Sequence, residues 1–212
     1  MAKCKSPLGK LQGKYGNLIT YDVKGQTRVR STPLEYHDAN TEAQQKSRRR
    51  LTIIVRFYSH LKETPIIEIW RVAAIPTPYD RYSLFRKLNM NVFLPNGKIG
   101  DFSKLQMTHG ELPQALNMQA EIDPEDRVTL TWTNHLEHTT SHDNDTLGVI
   151  AIYNNNSFSP ALLEGISATR KDEKAVFHVD RKSGKPLHLY VFFASPGKDA
   201  YSNDQYFKLT FK

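Results

Sequence analysis

The chain has one cysteine in 212 residues, Cys4, so no internal disulfide can staple it. Because no apolar stretch precedes Cys4, it does not read as a lipid-attachment site either, and a reducing cytoplasm is the expected compartment. Long hydrophobic runs are also missing. The most apolar segment, Pro65 to Pro78, is broken by Glu68 and Arg71. It falls short of the roughly 20 residues that span a bilayer, so no membrane partner is expected. The first 14 residues carry lysines at positions 3, 5, 10 and 14 and no apolar core, which argues against an export signal. Enzyme signatures are equally scarce. Gly9 to Gly16 lacks the Gly-Lys-Ser/Thr ending of a phosphate loop, and no Gly-x-Ser-x-Gly elbow occurs. No cofactor motif is present, and the expectation is a non-enzyme without a cofactor.

What is there is unevenly distributed charge. The net charge is +7, but residues 1–60 hold 12 Lys/Arg against 4 Asp/Glu, while residues 61–212 hold 17 against 18. All the surplus therefore sits at one end, which points to an anionic partner there or to a solvated basic face.

Periodicity divides the chain further. Asn17 to Val23 alternates, with Leu18, Thr20 and Asp22 on one side and Ile19, Tyr21 and Val23 on the other; Lys24-Gly25 offers a tight turn and Gln26 to Ser31 a return strand. Two strands alone are marginal, so this ribbon must dock on something, and the tail before Gly13 is expected to be mobile. Thr41-Glu42-Ala43-Gln44 reads as a capping box opening a helix whose apolar stripe is Leu51, Ile54, Val55, Tyr58 and Leu61. Thr64-Pro65 reads as the cap and first residue of a second helix. Tyr82, Phe85, Leu88 and Val92 suggest a third. After Pro113 the period changes to two. Strands are expected at 116–122, 128–132, 147–153, 162–169, 174–180, 187–194 and 205–211. Seven short strands at this spacing predict an immunoglobulin-like antiparallel β-sandwich. The predicted class is thus α+β, with residues 1–111 forming a basic tail, ribbon and helical region and residues 112–212 a sandwich that folds alone.

The order of several short blocks resembles an uncharacterised Bacteroidetes family, the domain of unknown function 6266. The blocks are Gly13-Lys14-Tyr15-Gly16-Asn17 with Tyr21, Gly25 and Arg30, then Thr41-Glu42-Ala43-Gln44, Phe85-Arg86-Lys87-Leu88-Asn89 with Gly97 and Leu105, Trp132-Thr133, and Tyr190-Val191-Phe192-Phe193. The resemblance implies a native start at Met1 without an export signal, and it adds no activity, since none is assigned to the family. A similar glycine-ribbon-plus-helix start occurs among phage-like structural proteins, which points toward assembly.

Two clusters are candidate sites. His135, His138, His142, Asp143 and Asp145 carry imidazoles and carboxylates close enough in sequence for zinc or calcium, although a polar hairpin loop has the same composition. Lys46, Arg48, Arg49 and Arg50, with Lys10, Lys14, Arg28, Arg30, Tyr15 and Tyr21, fit a polyanion-binding surface or a solvated helix face beside a packed ribbon. The functional expectation is a non-enzymatic protein-binding or self-assembling protein, the alternative a nucleic-acid-binding accessory protein.

Overall fold

A computed structural model describes residues 2–3, 12–35, 38–134, 142–153, 158, 160–180 and 186–211. The chain parts into two units, Met1–Glu42 and Ala43–Lys212. This division lies elsewhere than the boundary expected at 111/112.

The N-terminal unit is one antiparallel sheet of β1 (Ala2–Lys3), β2 (Gly13–Tyr15), β3 (Leu18–Val23) and β4 (Gln26–Ser31), in the order β1-β4-β3-β2. The ribbon expected from alternation is its β3-β4 centre. Lys24 and Gly25 both have positive φ, 49° and 77°, the turn geometry that matches strand twist. The Asp22 carboxylate accepts the Gly25 N–H at 2.9 Å. The expectation of a mobile tail is corrected at Ala2 and Lys3, which pair with Val29 and Arg28, while Gly13–Tyr15 pairs with Leu18–Thr20. Each edge of a two-stranded ribbon leaves a row of unsatisfied N–H and C=O groups, and these short strands cover them. No residue from 12 to 35 is buried.

In the second unit, α1 (Glu42–Lys62) begins directly after Thr41. Its buried face is Ile53, Ile54, Phe57, Tyr58 and Leu61, while Val55 is 43% exposed. The stripe is thus rotated from the expected one, because Phe57 offers more apolar area than Val55 on the neighbouring line. α2 (Ile66–Ala73) follows. Thr64 does not cap it; its hydroxyl donates back to the Leu61 carbonyl at 2.9 Å and closes α1 instead. α3 (Arg81–Asn89) is capped by Asp80, whose carboxylate accepts from the Tyr82 and Ser83 amides. It ends at Asn89, earlier than the apolar spacing suggested. The Asn89 side chain is buried and binds Gln106 twice, through its N–H to the carbonyl at 3.0 Å and from the amide at 2.8 Å.

Seven strands follow: β5 (Leu116–Ile122), β6 (Arg127–Thr133), β7 (Thr146–Ile152), β8 (Ala161–Leu162), β9 (Lys174–His178), β10 (Leu187–Ala194) and β11 (Gln205–Leu209). They form a four-stranded sheet, β11-β10-β7-β8, and a three-stranded sheet, β5-β6-β9. All eight residues of β10 are buried. One face of β7 and β10 (Leu147, Val149, Ala151, Leu187, Leu189, Val191 and Phe193) packs with Val128, Leu130, Trp132 and Phe177 of the other sheet. The opposite face (Ile150, Ile152, Tyr190, Phe192 and Ala194) shares a core with α1, α2 and α3. Unbroken apolar runs such as Leu187–Ala194 belong to strands covered on both sides. Gly148 makes the close pairing of β7 and β10 possible, since a Cβ there would lie 2.3 Å from the Phe192 ring.

The connecting segment 102–112 is stitched to the same sheet. Tyr190 Oη donates to the Phe102 carbonyl at 2.9 Å, and Asp204 accepts the Met107 and Thr108 amides at 3.1 and 2.9 Å. At Gly110 an added Cβ would sit 2.0 Å from the Tyr201 carbonyl oxygen, so only glycine fits. Helices and strands are one packed body, α+β in class, with its cover on both faces of one sheet.

Candidate functional site

The charge surplus seen in the sequence takes a definite form in the N-terminal sheet. Directly opposed residues in an antiparallel pair share a face. Register therefore groups Lys14 with Ile19 and Arg30, and Tyr21 with Arg28. Ile19, Tyr21 and Val23 form the central column of that face, with Lys14 on one flank and Arg28 and Arg30 on the other. Lys14 and Arg30 are exposed and Arg28 is half-buried. The other face carries Tyr15, Leu18, Thr20, Asp22, Thr27, Val29 and Ser31, with no cation among them. Tyr15 and Leu18 are 52% and 43% exposed. Tyr15 and Tyr21, grouped together at sequence level, thus lie on opposite faces.

The helical candidates do not share one surface. At 100° per residue Lys46 and Arg50 run in line with Ile54 on the core side of α1, whereas Arg48 and Arg49 turn away from it. Lys46, Arg48 and Arg49 are exposed and Arg50 is half-buried. The five residues from Lys46 to Arg50 wrap around a helix, and that is why a basic run in the sequence does not become a basic face.

The expected metal cluster is altered by a partner that spacing could not reveal. Asp145 is fully buried and ion-paired with Arg170, Oδ2 to Nε at 3.1 Å, both side chains at 0% exposure. Arg170 also donates to the Pro113 carbonyl at 2.9 Å and stacks its guanidinium 4.1 Å from the Phe193 ring centre. Its own carbonyl accepts the Trp132 indole N–H at 2.8 Å. Burial holds the Arg170 pKa below its ordinary value, although Asp145 opposes that shift. Asp143 accepts from the Asn134 side chain at 3.1 Å, and the His142 amide donates to Asp145. Asp145 is thereby a structural anchor. His135 and His138 lie outside the described residues, and among the described residues no three His, Cys, Asp or Glu side chains converge as metal ligands.

Three further polar groups of the body, His188, Asp204 and Asp199, also make structural bonds. His188 is buried, stacked on Phe102 at 3.8 Å, with Nδ1 2.8 Å from the Tyr206 hydroxyl. Burial, with a smaller push from Lys208, lowers its pKa to about 4. Burial raises Asp204 to about 6 against the pull of its amide donors. A cleft of about 470 Å³ lies between Val72–Thr77, His109–Glu111 and Asp199–Tyr201. Of its two carboxylates, Glu111 and Asp199, the second accepts the Ser195 hydroxyl, which holds it below the usual carboxylate range. Sequence reasoning missed Arg170, His188 and Asp204 because each meets its partner across long chain separations. Among the described residues no helix is long and apolar enough to cross a membrane.

Compared with known proteins, the chain matches the model of a family of unknown function, DUF6266, over residues 10–208. No curated protein matches it.

Proposed function

For a chain that belongs to the family of unknown function DUF6266, we propose a non-enzymatic role in assembly, in which one face of the N-terminal sheet packs against a second copy of itself. The observation that carries this reading is the sheet without a core: four strands, and no buried residue from 12 to 35. A sheet with an apolar face is stable when that face is covered. The face with Tyr15, Leu18 and Val29 suits a second copy, because it carries no cation and its one carboxylate, Asp22, sits beside the turn, where it accepts the Gly25 N–H. The opposite face, with three cations, would repel its twin. Such a face measures about 20 Å along its strands and about 15 Å across them. That is below the area of a stable dimer, so association is weak and depends on concentration.

The body supports a non-enzymatic reading, since Asp145, His188, Asp199 and Asp204 each serve a structural bond. Its strand order, β5-β6-β9 against β11-β10-β7-β8, supports reading the two sheets as an immunoglobulin-like sandwich carrying an added helical layer. A cytoplasmic location accords with the lone cysteine.

Sedimentation velocity over a concentration series tests the assembly reading. The full chain should shift to larger species as concentration rises. Leu18→Gln should weaken this by a hundredfold or more, since two leucines per contact contribute about 3 kcal/mol or more together. A full chain that stays monomeric throughout would refute it.

A further inference from the structure

The cationic face of the N-terminal sheet has a use that packing does not supply. Arg28 and Arg30 are two residues apart on one strand, so about 7 Å apart, and Lys14 lies two strands from Arg30, about 10 Å away. These spacings are close to the Debye length of about 8 Å in physiological salt, so the three fields add. Among the described residues none of the three has an acidic ion-pair partner. The one acidic residue of β3, Asp22, is on the opposite face. Between the flanking cations runs the column of Ile19, Tyr21 and Val23.

We propose that this face binds single-stranded nucleic acid, with phosphates on Lys14, Arg28 and Arg30 and a base against the Tyr21 ring. Cations alone would serve any polyanion. An aromatic ring between two cationic flanks matches a ligand whose planar bases alternate with phosphates, and stacking on it requires bases free of a duplex. The basic run of α1 is a poorer candidate, because its charges wrap the helix and offer no flat platform. This face lies opposite the one assigned to self-assembly, so the two readings fail separately.

Fluorescence anisotropy of the full chain with a labelled oligothymidylate, across a potassium chloride series, tests this. Three phosphate contacts to a single strand give a slope of log K against log salt of about −2. Each of Lys14→Gln, Arg28→Gln and Arg30→Gln should flatten the slope by about 0.7. Tyr21→Leu should weaken binding about fivefold or more with the slope unchanged, since stacking releases no counterions. Tyr21→Phe, which keeps the ring, should bind like the parent and so separates stacking from folding. Arg48→Gln with Arg49→Gln should leave both affinity and slope as they are, and Leu18→Gln should still bind. The proposal is overturned if binding is absent or insensitive to salt, if the helix variants account for the slope, or if Tyr21→Phe fails as Tyr21→Leu does. Duplex DNA binding as tightly as the oligothymidylate would overturn it too, as would polyglutamate displacing the oligonucleotide equally well.

Discussion

Cutting the chain before Leu112 removes the helical layer from a sheet that needs it. The residues left bare are Ile150, Ile152, Tyr190, Phe192 and Ala194, all buried in the intact body. Four of these are large, and burying each contributes about 1.5–3 kcal/mol, so the fragment forgoes about 6–12 kcal/mol. A whole domain is stable by only about 5–15 kcal/mol. The cut also orphans the Tyr190 hydroxyl and takes from Asp204 the two amides that it accepts, at about 1–3 kcal/mol for each polar group left unsatisfied. The sequence alone suggests that residues 112–212 fold by themselves; the core shared with the helices leads to the opposite prediction. Fragments 112–212 and 43–212 can be compared by amide dispersion in NMR and by urea unfolding. The longer one should be dispersed and cooperative, the shorter one collapsed and poorly dispersed. A shorter fragment with a cooperative transition within about 2 kcal/mol of the longer one would refute the reasoning.

Other perturbations follow from single contacts. Arg170→Met should cost about 3–5 kcal/mol in urea denaturation by leaving Asp145 charged and buried, and Arg170→Met with Asp145→Leu should recover part of it. Gly148→Ala should cost about 1–3 kcal/mol by overpacking against Phe192, and Phe192→Leu should relieve the clash in the double variant. His188, at about 4 when folded against 6.5 when free, refuses a proton that the unfolded chain accepts. Stability is therefore lost as pH falls from about 6.5 to 4, by up to about 1.4 kcal/mol per pH unit. Asp204, at about 6 against 3.8, has the opposite sign and gains stability as pH falls from 6 toward 4. Urea midpoints of the parent should change little over that window, and those of His188→Phe should rise on acidification.

Local pattern revealed most strands well, because alternation and turns are neighbour effects: six of the seven after residue 115 match their expected segments to within a few residues at each end, whereas β8 (Ala161–Leu162) meets the segment expected at 162–169 only at Leu162. Its limit shows at Leu187–Ala194. The run Leu-His-Leu-Tyr-Val-Phe-Phe-Ala signals a strand covered on both faces, yet nothing local says that helices supply one cover. β1 and β2 are two and three residues long, too short for any period to register. Asp145 looked like a ligand beside His142 because Arg170, its partner, is 25 residues away. The basic face of the sheet was half legible: the alternation of β3 was plain, but which cations share its Tyr21 side depends on register with β2 and β4.

Hydrogen–deuterium exchange at two protein concentrations tests the central claim, that the N-terminal sheet is completed by a second copy. In dilute solution the amides of Leu18–Val23 and Gln26–Ser31 should exchange quickly, since a sheet without a core opens at little cost, while those of Leu187–Ala194 stay protected. Raising the concentration should slow exchange in the first two segments and leave the third unchanged. Strong protection of Leu18–Val23 in dilute solution, independent of concentration, would contradict the account.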